Sequence, residues 1–104
     1  MKVLITGING FVGQHLLREL ESRGIDVWGL DIESSSEKII AADILNENSI
    51  NEALKRINPD YIMHLAAIAN VDHSNASLIY NVNFYGTLNL LSASRKLVSA
   101  PKFI

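Results

Sequence analysis

The chain has 104 residues, 48% hydrophobic and 19% charged, with a formal charge of −2 and no cysteine. That length holds a single core, the scattered Lys and Arg residues leave no electrostatic footprint for nucleic acid, and the absence of cysteine excludes a disulfide framework, a thiol nucleophile and a Cys-type zinc site. No apolar run reaches the roughly 18 residues of a membrane span, and Met1 stands directly before the first apolar run without room for a signal peptide, so a cytoplasmic setting is expected.

In chain order, Lys2 to Thr6 reads as a buried strand, followed by a helix from about Gly10 to Arg23 with Val12, Leu16 and Leu20 on one face and Gly24 suited to its C-terminus. Ile25 to Asp31 is a second strand. Glu33 to Lys38, rich in serine and charge, is a solvated loop, and Ile39 to Ala42 a short third strand. A helix from about Glu47 to Ile57 puts Ile50, Ala53, Leu54 and Ile57 on one face, with Asn46 as N-cap and Pro59 just past the end. Tyr61 to Leu65 forms a fourth strand, a loop runs to about Asn75, and a long helix spans roughly 76–98. Lys102, Phe103 and Ile104 open a fifth strand.

Alternating strands and helices imply right-handed crossovers and a parallel sheet. The expected fold is therefore α/β: a Rossmann-type half sheet with helices on both faces, strand order 3-2-1-4-5, in one dinucleotide-binding domain over residues 1–104 without a substrate domain. Strand four is expected to present an open edge. The long helix carries Leu78, Val82, Tyr85 and Leu88 on one face and Ile79, Leu90, Leu91 and Leu97 elsewhere, a distribution that asks for two neighbours. Assembly of copies through helix 76–98 or the strand-four edge is expected.

The chemistry concentrates in Thr6-Gly7-Ile8-Asn9-Gly10-Phe11-Val12-Gly13, between the first strand and the first helix. Glycines spaced three apart let backbone turn sharply and approach a pyrophosphate, with the free amides and dipole of the new helix facing the anion. Asp31 ends the next strand 18 residues after Gly13, where an acid can hold the ribose hydroxyls of an adenosine. The plainer readings are a tight turn without ligand and an ordinary strand-end acid. Asp43 alone reads equally as a solvated acid beside a helix. His64 reads as a packed, hydrogen-bonded histidine, His15 and His73 as surface groups and Trp28 as core, and no metal site is expected.

These residues, with Asp43-Ile44, Pro59-Asp60, His64-Leu65-Ala66-Ala67 and Asn83-x-x-Gly86-Thr87-x-Asn89-Leu90-Leu91, resemble the extended short-chain dehydrogenase/reductase family of nucleotide-sugar epimerases, dehydratases and reductases over essentially the whole chain. The resemblance implies that the amides of Asn9, Gly10, Phe11 and Val12 hold the pyrophosphate, beside Gly7 and Gly13. It implies that Asp31 takes the ribose hydroxyls, Asp43 accepts from the adenine amino group and Ile44 gives a backbone contact to the ring. Leu65, Ala66 and Ala67 would line the cofactor and Asn83 would brace the neighbouring backbone.

The cofactor expected is NAD in preference to NADP, because Asp31 and Glu33 would face a 2′-phosphate and residues 32–37 contain no arginine or lysine. The family's catalytic tyrosine, with lysine four residues on, is absent: Tyr61, Tyr80 and Tyr85 are followed at that distance by Leu65, Phe84 and Asn89. Asn70 also precedes Val71-Asp72 where many relatives have histidine. The chain is thus read as the cofactor-binding N-terminal part of a nucleotide-sugar enzyme, a natural or engineered truncation inert by itself, with a nucleotide sugar as partner only in a longer parent. The alternatives are a free-standing NAD-binding or docking module and a relative that has lost sugar chemistry.

Overall fold

The computed structural model of the chain describes residues 1–34, 36–66, 84–97 and 99–103. The expectations for Ala67 to Asn83, with the loop around Asn70 and the first turns of the long helix, lie outside the described residues. The rest form β1 (Lys2–Thr6), α1 (Phe11–Ser22), β2 (Asp26–Asp31), β3 (Ile39–Ala41), α2 (Glu47–Ile57), β4 (Tyr61–His64), α3 (Gly86–Arg95) and β5 (Lys102–Phe103). All strands are parallel in the order β3-β2-β1-β4-β5, the expected Rossmann-type arrangement.

Alternation along the strands divides the core between the two faces of the sheet. Leu4, Leu30 and Ile62 meet Ile50, Leu54 and Ile57 of α2 and Leu90 and Ala93 of α3 on one face, with Trp28 half-buried against them. Val3, Ile5, Val27 and Ile39 meet α1 through Leu16, Leu17 and Leu20 on the other. Ile50, Leu54 and Ile57 of α2 are each at most 1% exposed, so each contributes of order 2 kcal/mol of burial.

The register of α2 follows its sequence closely. Asn46 caps it by accepting from the Ser49 amide at 3.1 Å, and Asn58, at φ 50°, closes it with its N–H on the Leu54 carbonyl. That left-handed cap is one that asparagine tolerates. Lys2 Nζ donates to the Ile57 carbonyl at 2.8 Å, placing a cation at the negative end of the helix.

Three expectations are corrected. Val12 does not share the buried face of α1: it is 56% exposed, because at 100° per residue Gly13, Leu16, Leu17 and Leu20 form the stripe and Val12 falls to its side. Strand four is not an edge, since β5 pairs with Tyr61 and Ile62 and leaves β3 and β5 outermost. The long helix ends at Arg95 rather than Val98, with Lys96 as its cap; among its described residues Leu90 and Ala93 are buried, while Phe84, Tyr85, Leu88 and Leu91 are 39–50% exposed.

Candidate cofactor cleft

Parallel pairing aligns Thr6 with Leu30 on one side and His64 on the other, so the chain leaves three central strands at one end of the sheet, where ligands bind in open α/β folds. A cleft of about 460 Å³ opens there. One wall is the glycine turn, Gly7, Asn9 and Gly10; another is the end of β2, Asp31 and Ile32; a third is Asp43 and Ile44 after β3; the last is Leu65 and Ala66 after β4. Eight of the expected residues therefore meet: Gly7, Asn9, Gly10, Asp31, Asp43, Ile44, Leu65 and Ala66.

Glycine is required by geometry at two places in the turn. Gly7 has φ +70°, and a Cβ there would stand 2.9 Å from the Ala66 amide nitrogen; one on Gly13 would stand 2.6 Å from the Ile8 carbonyl oxygen. Gly13 does not line the cleft but lets α1 close onto the turn. Phe11 and Val12 do not line it either. Their side chains point to solvent, Phe11 edge-on to the His15 ring at 4.5 Å, and what they offer is backbone: they are the first residues of a helix whose N-cap is Gly10, which has no side chain to cap it. The amides of that first turn lack intrahelical acceptors.

The carboxylate of Asp31 is held in place by accepting from the Asn9 amide at 2.9 Å through Oδ2 and from the Ile32 amide at 2.8 Å through Oδ1. Asn9 Nδ2 donates to the Glu33 carbonyl at 2.8 Å, clasping the glycine turn to the end of β2. Asp43 Oδ1 accepts from the Leu45 amide at 2.9 Å. Ala67 and Asn83, also expected in the site, lie outside the described residues.

His64 is the packed, hydrogen-bonded histidine expected, but the sequence assigns no such contacts to its partners Thr6 and Thr87 or to the buried Ile8. Thr6 Oγ1 accepts from the amides of Leu65 and Ala66, both at 3.1 Å, so its single hydrogen goes to His64 Nδ1, 2.7 Å away. His64 must then carry its proton on Nε2 and donate it to Thr87 Oγ1 at 2.9 Å. Burial lowers the pKa of this imidazole below its ordinary 6.5, in keeping with a neutral ring. Ile8, fully buried, fills the space left by Gly29, where a Cβ would stand 2.6 Å from its side chain. The visible signal for that contact is the glycine within β2.

Dinucleotide chemistry suits this arrangement: small backbone at the turn, unpaired helix-start amides for a diphosphate and a fixed acid for hydroxyls. The comparisons agree. A 4-dehydrogenase of GDP-6-deoxy-D-talose from Aggregatibacter actinomycetemcomitans is 39% identical over 88% of this chain and 29% of its own length. A probable dTDP-glucose 4,6-dehydratase from Sinorhizobium fredii is 33% identical over 92% of this chain and 32% of its own. The crystal structure of Thermus thermophilus UDP-glucose 4-epimerase in complex with NAD superimposes with a TM-score of 0.83 at 32% identity, over 92% of this chain and 34% of that one. The chain thus spans about a third of the length of these relatives. The family model described as the NAD dependent epimerase/dehydratase family matches residues 3–104, and the chain belongs to that family.

Proposed function

We propose that this chain is the NAD-binding part of a nucleotide-sugar epimerase, dehydratase or reductase. The observation that carries the reading is the Asp31 carboxylate, fixed by the Asn9 and Ile32 amides at the mouth of a glycine-turn cleft. In such enzymes NAD supplies a hydride acceptor at the sugar. Here Asp31 binds the ribose hydroxyls, and the amides of Phe11 and Val12 orient the diphosphate, because those of Asn9 and Gly10, expected beside them, are already spent on the Asp31 carboxylate and the Gly7 carbonyl; Asp43 and Ile44 take the adenine, and Leu65 and Ala66 shape the opposite wall. With no tyrosine followed by lysine four residues on, the 104 residues are inert towards nucleotide sugars by themselves; turnover of a nucleotide sugar by the purified chain would overturn that. A cytoplasmic setting is part of this reading, and among the described residues no helix is long and apolar enough to cross a membrane.

NAD over NADP follows from charge. A 2′-phosphate about 4 Å from the Asp31 carboxylate is repelled by roughly 4 kcal/mol at an effective dielectric near 20. Salt and exposure reduce this, and about a third of it still amounts to a tenfold preference. Calorimetric titration should give tighter binding of NAD than of NADP, and Asp31→Ala should narrow the gap; equal affinities in the unsubstituted chain would sink the reading.

The alternative, a free-standing NAD-binding or docking module, draws on the closure of the β4 edge by β5 and on the exposed Phe84, Tyr85, Leu88 and Leu91 of the α3 region. Light scattering across a dilution series separates the two. A defined stoichiometry supports the module, with copies joined through that helix face, and concentration-dependent aggregation supports a part of something larger.

A further inference from the structure

The peptide between Ile44 and Leu45 lies on the rim of the cleft, and both of its polar groups are bound. Its N–H donates to Asp43 Oδ1 at 2.9 Å, and its carbonyl accepts from Asn89 Nδ2 at 3.0 Å. Asn89 belongs to α3, which supplies no described residue to the cleft lining. It comes this close because Gly86, one turn earlier, lacks a side chain: a Cβ there would stand 2.8 Å from Ile44 Cγ2.

The two bonds act on one rigid plane. Rotating that peptide breaks both together, so the donor on Asn89 keeps the Leu45 N–H aimed at Asp43, and that bond in turn orients the Asp43 carboxylate. The rest of the segment is fixed at its two ends, by the Ala42 amide on the Asp31 carbonyl at 2.8 Å and the Asn46 amide on the Asp43 carbonyl at 2.8 Å. Among the described residues, Asn89 makes the only hydrogen bond to this rim from outside the β2 to α2 stretch.

Resting on the reading of the cleft as a dinucleotide site, we propose that Asn89 is a positioning residue for its adenine end. It sets the Asp43 carboxylate and the Ile44 backbone, and with them the preference for a purine bearing an exocyclic amino group. A carboxylate accepts from an amino group and is repelled by a carbonyl in the same place. Selectivity at that position therefore depends on how well the carboxylate is aimed.

The test titrates the full chain calorimetrically with NAD and with nicotinamide hypoxanthine dinucleotide, whose purine carries a carbonyl instead of the amino group. The unsubstituted chain should favour NAD by about tenfold, the scale of one lost hydrogen bond and one opposed acceptor. Asn89→Ala should cut that ratio several-fold and speed hydrogen exchange at the Leu45 amide, while Asn89→Gln, which keeps the donor, should restore part of the ratio. Asn89→Asp keeps the shape, removes the donor and gives the same readout if the alanine variant fails to fold. An unchanged ratio in a folded variant that binds NAD overturns this proposal alone. Failure of the unsubstituted chain to bind either dinucleotide overturns the cleft reading and this proposal with it.

Discussion

Two helices of nearly equal length start in opposite ways. α2 begins on Asn46, whose side chain accepts from the Ser49 amide, carries Glu47 in its first turn and ends with Lys55 and Arg56. Every device that satisfies a helix from within is present. α1 begins on Gly10 with no side-chain cap, no acid in its first turn and no base in its last. The difference marks which helix is built for the domain and which is left with its positive end open to an anion.

The strongest way to break this comparison is at Gly13. An added Cβ meets backbone oxygens of Ile8 and Gly7 at 2.6 and 2.7 Å, and these cannot swing aside. Gly13→Ala should cost about 1–3 kcal/mol, lowering the melting temperature by roughly 5 to 15 °C and NAD affinity with it; differential scanning calorimetry reads the first effect.

Exchanging the two helix starts sharpens it. Gly10 has φ −72° and ψ 170°, a conformation open to any residue, and a Cβ there would stand 3.3 Å from the Gly7 carbonyl oxygen, so Gly10→Asp should keep the fold after a small shift of that peptide, which the melting temperature checks. It would put a carboxylate where the diphosphate is proposed to lie and weaken NAD by roughly tenfold or more. Asn46→Ala should do the reverse, losing about 1 kcal/mol of stability while leaving the ratio of NAD to NADP affinities unchanged. If Gly10→Asp binds NAD normally, the open helix start is not the anion site.

The wall opposite α1 resembles α2 in being satisfied from within, through Thr6, His64 and Thr87. Burial lowers the His64 pKa in the folded chain below 6.5, so under acid conditions the unfolded chain binds a proton that the folded chain refuses. Stability from this site is complete above about pH 6.5 and falls as the pH drops towards the folded value. Urea midpoints at pH 7.5 and 5.5 should differ less in His64→Gln than in the unsubstituted chain; an equal difference would remove His64 from the acid response.

How much of this could be read in the residues depends on the range of the contacts. The span, cap and buried face of α2 follow from local periodicity and from Asn46, and the strand order follows from alternating elements. Val12 was misplaced because 12, 16 and 20 satisfy a helical repeat without lying at the centre of the true stripe, which Gly13 sets by packing closely. The acids Asp31 and Asp43 stand out by position and resemblance. The partners that hold the cleft in shape do not, because Thr6 with Ala66 and Asn89 with Ile44 lie 60 and 45 residues apart and only the folded sheet brings them together.

Ile8 gives the glycine turn a further property. Its side chain is wedged against Gly29 in the interior, so the loop that would receive a ligand melts only with the domain. A ligand entering such a site spends little free energy on ordering it. Ordering of the glycine turn should therefore add no slow phase to association, which stopped-flow mixing over a range of ligand concentrations checks.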